Sequence, residues 1–80
     1  MEIIVIINGV ETPVQANIES KLIDIMSEAR KESNNTGRPI LDWDIYTSDG
    51  VSLNTTKTIN SLRLADGERL FMNLGVGAGG

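Results

Sequence analysis

The stretch Ile3-Ile4-Val5-Ile6-Ile7-Asn8-Gly9-Val10-Glu11-Thr12-Pro13-Val14-Gln15-Ala16 decides how this chain begins to fold. Residues 3–7 are all β-branched, which crowds a helix at χ1 and favours a pleated strand. Asn8-Gly9 is the dipeptide that best accepts the two positive φ angles of a type I′ turn, so a hairpin is predicted. A two-residue turn sets Ile7 opposite Val10, Val5 opposite Thr12 and Ile3 opposite Val14. One face then carries Ile3, Val5, Ile7, Val10 and Val14, the expected core side. The other carries Ile4 and Ile6 beside Glu11, Pro13 and Gln15. Pro13 has no N–H to give to a ladder, which makes the second strand, Val10 to Ala16, a sheet edge.

Beyond the hairpin the period changes. Ile18, Leu22, Ile25, Met26 and Ala29 fall on one face of a helix, with Asn17 or Ser20 able to cap its start. The pattern fades at Ser33-Asn34-Asn35-Thr36, Gly37 is the expected stop, and Pro39 marks a loop. Trp43 to Thr47 alternates as a third strand, Asp49-Gly50 is a turn, and Val51-Ser52-Leu53 reads as a short fourth strand. Ile59, Leu62 and Leu64 are apolar anchors in a polar stretch with room for a single helical turn. Asp66-Gly67 turns the chain into a last strand, Glu68 to Leu74, with Leu70, Met72 and Leu74 on one face and Phe71 and Asn73 on the other. The economical arrangement is α+β, one helix across one face of a mixed sheet, with the apolar last strand placed centrally beside the first.

Composition narrows the chemistry. Eighty residues make one small domain, which buries roughly 60% of its unfolded surface. The chain has no cysteine and no histidine, which removes the thiolate nucleophile, the disulfide, the usual general base and the commonest metal ligand. No catalytic residue is expected. A net charge of −4 with scattered basic residues argues against nucleic acid as a partner. The run 3–7 is far too short to span a bilayer, so no membrane partner is expected. Absence of cysteine and of a signal segment fits a cytoplasmic, reducing setting. Trp43 shares a face with Ile45 and reads as core. Asp42 and Asp44 flank it but lack a third ligand for a metal site. After Leu74 the chain runs Gly75-Val76-Gly77-Ala78-Gly79-Gly80, a slim peptide with almost no side-chain bulk.

This order of elements resembles the ubiquitin-like β-grasp family over essentially the whole chain. That family implies a five-stranded mixed sheet in the order 2-1-5-3-4, a domain over 1–74 and a flexible Gly-rich tail over 75–80. Asn8-Gly9, Pro13-Val14, Asn35-Thr36-Gly37-Arg38-Pro39, Asp42-Trp43-Asp44, Asp49-Gly50 and Asp66-Gly67 carry a closer similarity. It is to the bacterial ubiquitin-like proteins encoded beside activating-enzyme, conjugating-enzyme and JAB-peptidase genes in antiphage defence islands.

The resemblance implies a protein modifier. Its Gly80 carboxylate, behind Gly79, would be adenylated by an ATP-dependent activating enzyme and passed by thioester transfer to a conjugating enzyme. It would then be attached to target proteins, phage proteins among the candidates, and removed by a JAB-type peptidase. ATP belongs to the activating enzyme, so no cofactor is expected on this chain, which should act as a monomer. Ubiquitin has basic residues in its tail, whereas Gly75, Val76, Gly77 and Ala78 are uncharged, so the activating enzyme must read this tail by its slimness. In β-grasp order Ile4, Ile6, Tyr46, Phe71 and Asn73 share the solvent face and form the expected partner-binding patch. Lys21, Lys31 and Lys57 are possible acceptors for a second copy, and Arg38 is a candidate partner contact. Two other readings stay open: a β-grasp sulfur carrier ending in a thiocarboxylate, and a non-conjugated ubiquitin-like interaction module.

Overall fold

The computed structural model describes residues 1–75. Its order is β1 (Glu2–Ile7), β2 (Val10–Gln15), α1 (Leu22–Glu32), a 3₁₀ turn (Ile40–Asp42), β3 (Trp43–Thr47) and β4 (Glu68–Leu74). The hairpin has the predicted register, Ile7 with Val10, Val5 with Thr12 and Ile3 with Val14. Asn8 and Gly9 have φ of 51° and 80°, the two positive angles a type I′ turn requires. Beyond the strands, Met1 and Ala16 exchange backbone hydrogen bonds of 2.9 and 2.8 Å. Hydrogen-bonded and non-bonded pairs alternate between these two ends, so Pro13, opposite Ile4, turns its missing donor outward to the free edge.

The four strands lie in the order β2-β1-β4-β3, with β4 parallel to β1 and antiparallel to β3. The last strand is central, as its apolar run requires. The expected short fourth strand, Val51 to Leu53, is not one, so the sheet has four strands rather than five. Residues 51–53 make a single bridge, Ser52 with Tyr46, and bonds from Thr47 N–H to Val51 O (2.9 Å) and from Leu53 N–H to Ile45 O (3.1 Å). Asn54 ends the pairing, because its Oδ1 accepts from the Thr56 amide at 3.0 Å and bends the chain away.

The helix starts later than the apolar spacing suggests. Ile18 is 57% exposed and lies in a turn held by Asn17 and Ser20 side chains, which bond that turn rather than cap α1. Lys21 is the N-cap and supplies no side-chain bond. The first free amides, Leu22 and Ile23, donate instead to Lys57 O and Thr55 O, each at 2.9 Å. At the other end Asn34, not Gly37, is the stop. Asn34 takes φ 61°, Asn35 N–H returns to Arg30 O (2.8 Å) and Asn34 N–H to Lys31 O (3.1 Å), a Schellman closure.

The core lies between α1 and one sheet face. Ile3, Val5, Ile7, Val14, Leu70, Met72, Trp43 and Ile45 meet Leu22, Ile25, Met26 and Ala29. Ile59, fully buried, joins them from outside any helix or strand. Val10 was expected in the core and is 55% exposed, because it sits at the hairpin tip beyond the cover of α1. Thr12 takes a buried place on that face, its hydroxyl donating to Val10 O at 3.4 Å.

Candidate interaction surface

The sheet face turned away from α1 carries Glu11, Pro13 and Gln15 on β2, Ile4 and Ile6 on β1, Arg69, Phe71 and Asn73 on β4, and Asp44 and Tyr46 on β3. Strand register sets one row straight across it: Glu11, Ile6, Phe71, Tyr46. A second row runs Pro13, Ile4, Arg69, and Asn73 lies opposite Asp44. All five residues of the expected patch therefore share one face on adjacent strands.

Their exposure differs. Ile4, Phe71 and Tyr46 are half-buried and Asn73 is exposed. Ile6 is only 9% exposed. An ion pair that sequence reading missed spans the same face. The Arg69 guanidinium on β4 reaches the Glu11 carboxylate on β2, and β1 lies between those strands. The pair must cross β1 beside Ile4 and Ile6. Both partners are about half exposed, so the pair adds little stability.

Toward β3 the face dips into a shallow groove of about 400 Å³ lined by Tyr46, Thr47, Ser48, Gly50, Phe71 and Asn73. The Tyr46 hydroxyl lies 3.4 Å from Asp44 Oδ2, which places a polar rim beside the Phe71 ring. A second cleft, about 320 Å³ between α1 and residues 53–55, has Trp43 in its lining. The Trp43 indole belongs to the core, 5% exposed, and its Nε1 has no hydrogen-bond partner among the described residues.

Gly75 continues the β3–β4 ladder, its amide donating to Asp42 O at 2.7 Å. A Cβ at this position would lie 2.8 Å from Asp44 Oδ2 and 3.4 Å from Asp42 O. Val76, Gly77, Ala78, Gly79 and Gly80 lie outside the described residues. Lys21 and Lys57 are exposed near the start of α1, and Lys31 is exposed 3.9 Å from Glu28. Arg38, in the loop before β3, pairs with Asp42 at 3.8 Å. Among the described residues no helix is long and apolar enough to cross a membrane.

The profile of a family described as "Protein of Unknown function (DUF2604)" matches residues 1–80. The uncharacterized protein y4jI of Sinorhizobium fredii is 31% identical over all 80 residues, and the chain spans 62% of that relative's length. Among solved structures, Caldiarchaeum subterraneum ubiquitin superposes with a TM-score of 0.77 at 17% identity, covering 94% of this chain and 92% of that one. A chain from the crystal structure of AtBAG1 in complex with HSP70 gives 0.78 at 8% identity, covering 99% of this chain and 42% of the other. At such identities these likenesses show the fold, which is ubiquitin-like.

Proposed function

Because the chain belongs to the DUF2604 family and folds as ubiquitin does, we propose that it is a ubiquitin-like protein modifier joined to its targets through the carboxylate of Gly80, whether that carboxylate is native or freed by trimming. The observation that carries this reading is the combination of that fold with Gly79-Gly80 a few residues beyond its last strand. A free carboxylate is a poor acyl donor. An ATP-dependent enzyme would convert it to an acyl-adenylate, releasing pyrophosphate, and an enzyme thiolate would then displace AMP to form a thioester. The chain supplies no cysteine for these steps, so every thiolate belongs to its partners. Glycine at 79 and 80 suits a channel that grips the backbone closely. The half-buried Phe71 and Tyr46, with the groove beside them and with Ile4, Ile6 and Asn73 on the same face, form the docking face.

Modification of phage proteins rests on the resemblance alone. Several residues that carry it have structural roles: Asn8-Gly9 makes the hairpin turn, Asn35 closes α1 and Trp43 packs in the core.

The test is incubation with a cognate activating enzyme and ATP. A thiol-sensitive adduct on a non-reducing gel, abolished by deletion of Gly80, is the expected result. An oxygen-to-sulfur mass exchange on the free protein would replace this reading with the sulfur carrier. Absence of any ATP-dependent product would leave an interaction module.

A further inference from the structure

Asn8 and Asn35, 27 residues apart, are joined by a hydrogen bond whose direction is forced. Asn8 Nδ2 donates to Asn35 Oδ1 at 2.8 Å. Asn35 Nδ2 donates to Ser33 Oγ (2.8 Å) and to Ser33 O (3.1 Å). Ser33 Oγ donates to Ala29 O at 2.7 Å, in the last turn of α1. Main-chain carbonyls only accept, so the relay cannot run the other way. Asn35 must face Asn8 with its oxygen, and residue 8 must present a donor.

Asn8 is also the one asparagine in the chain followed by glycine. It is exposed, the Gly9 N–H makes no hydrogen bond among the described residues, and no atom of a described residue beyond Asn8 and Val10 lies within 4 Å of where a Gly9 Cβ would stand. No hydrogen bond ties up the Gly9 nitrogen, and no side chain at Gly9 crowds its attack on Asn8 Cγ. Attack forms the N–Cγ bond and breaks Cγ–Nδ2, and ammonia leaves with the Gly9 amide proton. Water then opens the five-membered imide, at Cγ to give aspartate or at the main-chain carbonyl to give isoaspartate.

We propose that Asn8 is a deamidation site held in check by Asn35, and that its conversion unlatches the segment after α1 from the hairpin tip. The product carboxylate is an acceptor facing the locked oxygen of Asn35. The relay loses its first bond and the two oxygens repel. Ile7 pairs with Met72, so Asn8 is level with Asn73, close to where β4 gives way to Gly75. The new charge thus lands at the end of the sheet that already carries Asp42 and Asp44 against Gly75. This inference stands whether or not Gly80 is conjugated.

The purified chain is held at mildly alkaline pH and mapped by tryptic digestion and mass spectrometry. The peptide 1–21 contains Asn8 and Asn17, and Asn17, followed by Ile18, is the internal control. Conversion is expected at Asn8 and not at Asn17, and several-fold faster in Asn35→Ala. Should that variant fail to fold, Asn35→Ser removes the Oδ1 that faces Asn8 while keeping a polar side chain after α1. In Asn8→Asp the backbone amide resonances of Ser33, Asn34 and Asn35 should move with those of the turn. Equal conversion rates in wild type and relay variant, an unreactive Asn8 in both, or shifts confined to residues 7–10 would each overturn the proposal.

Discussion

Replacing Ile59 by alanine tests whether one side chain secures the segment 54–64. Ile59 is fully buried, and the amides of Ile59 and Asn60 bond Ser20 O and Ile18 O, each at 2.9 Å. The same segment supplies Thr55 O and Lys57 O to the start of α1. Removing three methylene-sized groups forfeits about 2.4 kcal/mol of transfer energy at ~0.8 each, and the cavity left behind raises the cost to about 3–4 kcal/mol. A chain of 80 residues has a total stability of about 4–12 kcal/mol, so the variant is left marginal. Urea unfolding followed by the fluorescence of Trp43, the single tryptophan and 5% exposed, gives the measurement. With a slope of ~1 kcal/mol per molar, the midpoint should fall by about 3 M. The α1 amides of Leu22 and Ile23 should lose hydrogen-exchange protection before those of β1. A midpoint shift under about 1 M would refute the reasoning, since it would mean that backbone bonds, not Ile59, hold the segment.

Two further outcomes follow from the sheet. Phe71→Ala removes a half-buried ring from the outer face, where cross-strand contacts with Ile6 and Tyr46 contribute roughly 0.2–1 kcal/mol each. It should shift the urea midpoint by no more than ~2 M while weakening binding to the cognate activating enzyme by about 30-fold, the effect of a central contact residue worth ~2 kcal/mol. Unchanged affinity would remove the outer face from the proposed docking surface. Pro13→Val restores an outward donor between those of Glu11 and Gln15 on the edge strand, so light scattering should give a larger apparent mass than wild type at equal concentration. Identical masses would show that Pro13 does not guard this edge.

The fold was legible where a local pattern has one cheap solution. The run of β-branched residues before Asn8-Gly9 specifies both the hairpin and its register, because only the primed turn matches strand twist. Period-two alternation located β3 and β4 with the observed bounds, Trp43–Thr47 and Glu68–Leu74. The outer-face residues Ile4, Ile6, Tyr46, Phe71 and Asn73 were nameable for the same reason, since alternate residues of a strand share a face. Their exposure was not. Arg69 and Glu11 are 58 positions apart, and nothing local says that they meet over β1.

The sequence by itself determined the strands, the inner face of α1, the central place of the last strand and the Gly79-Gly80 peptide, all consequences of side-chain period and backbone freedom within a few residues. Tertiary structure alone decided where α1 begins, because the carbonyls that satisfy Leu22 and Ile23 come from residues 57 and 55. It alone exposed Val10 and buried Ile59, because cover depends on which elements reach a site. It reduced 51–53 to one bridge and gave Asn35 its two tasks, closing α1 and holding Asn8. In each case the deciding partner lies far along the chain, and a hydrogen bond or a packed side chain counts only once the fold has brought that partner within reach.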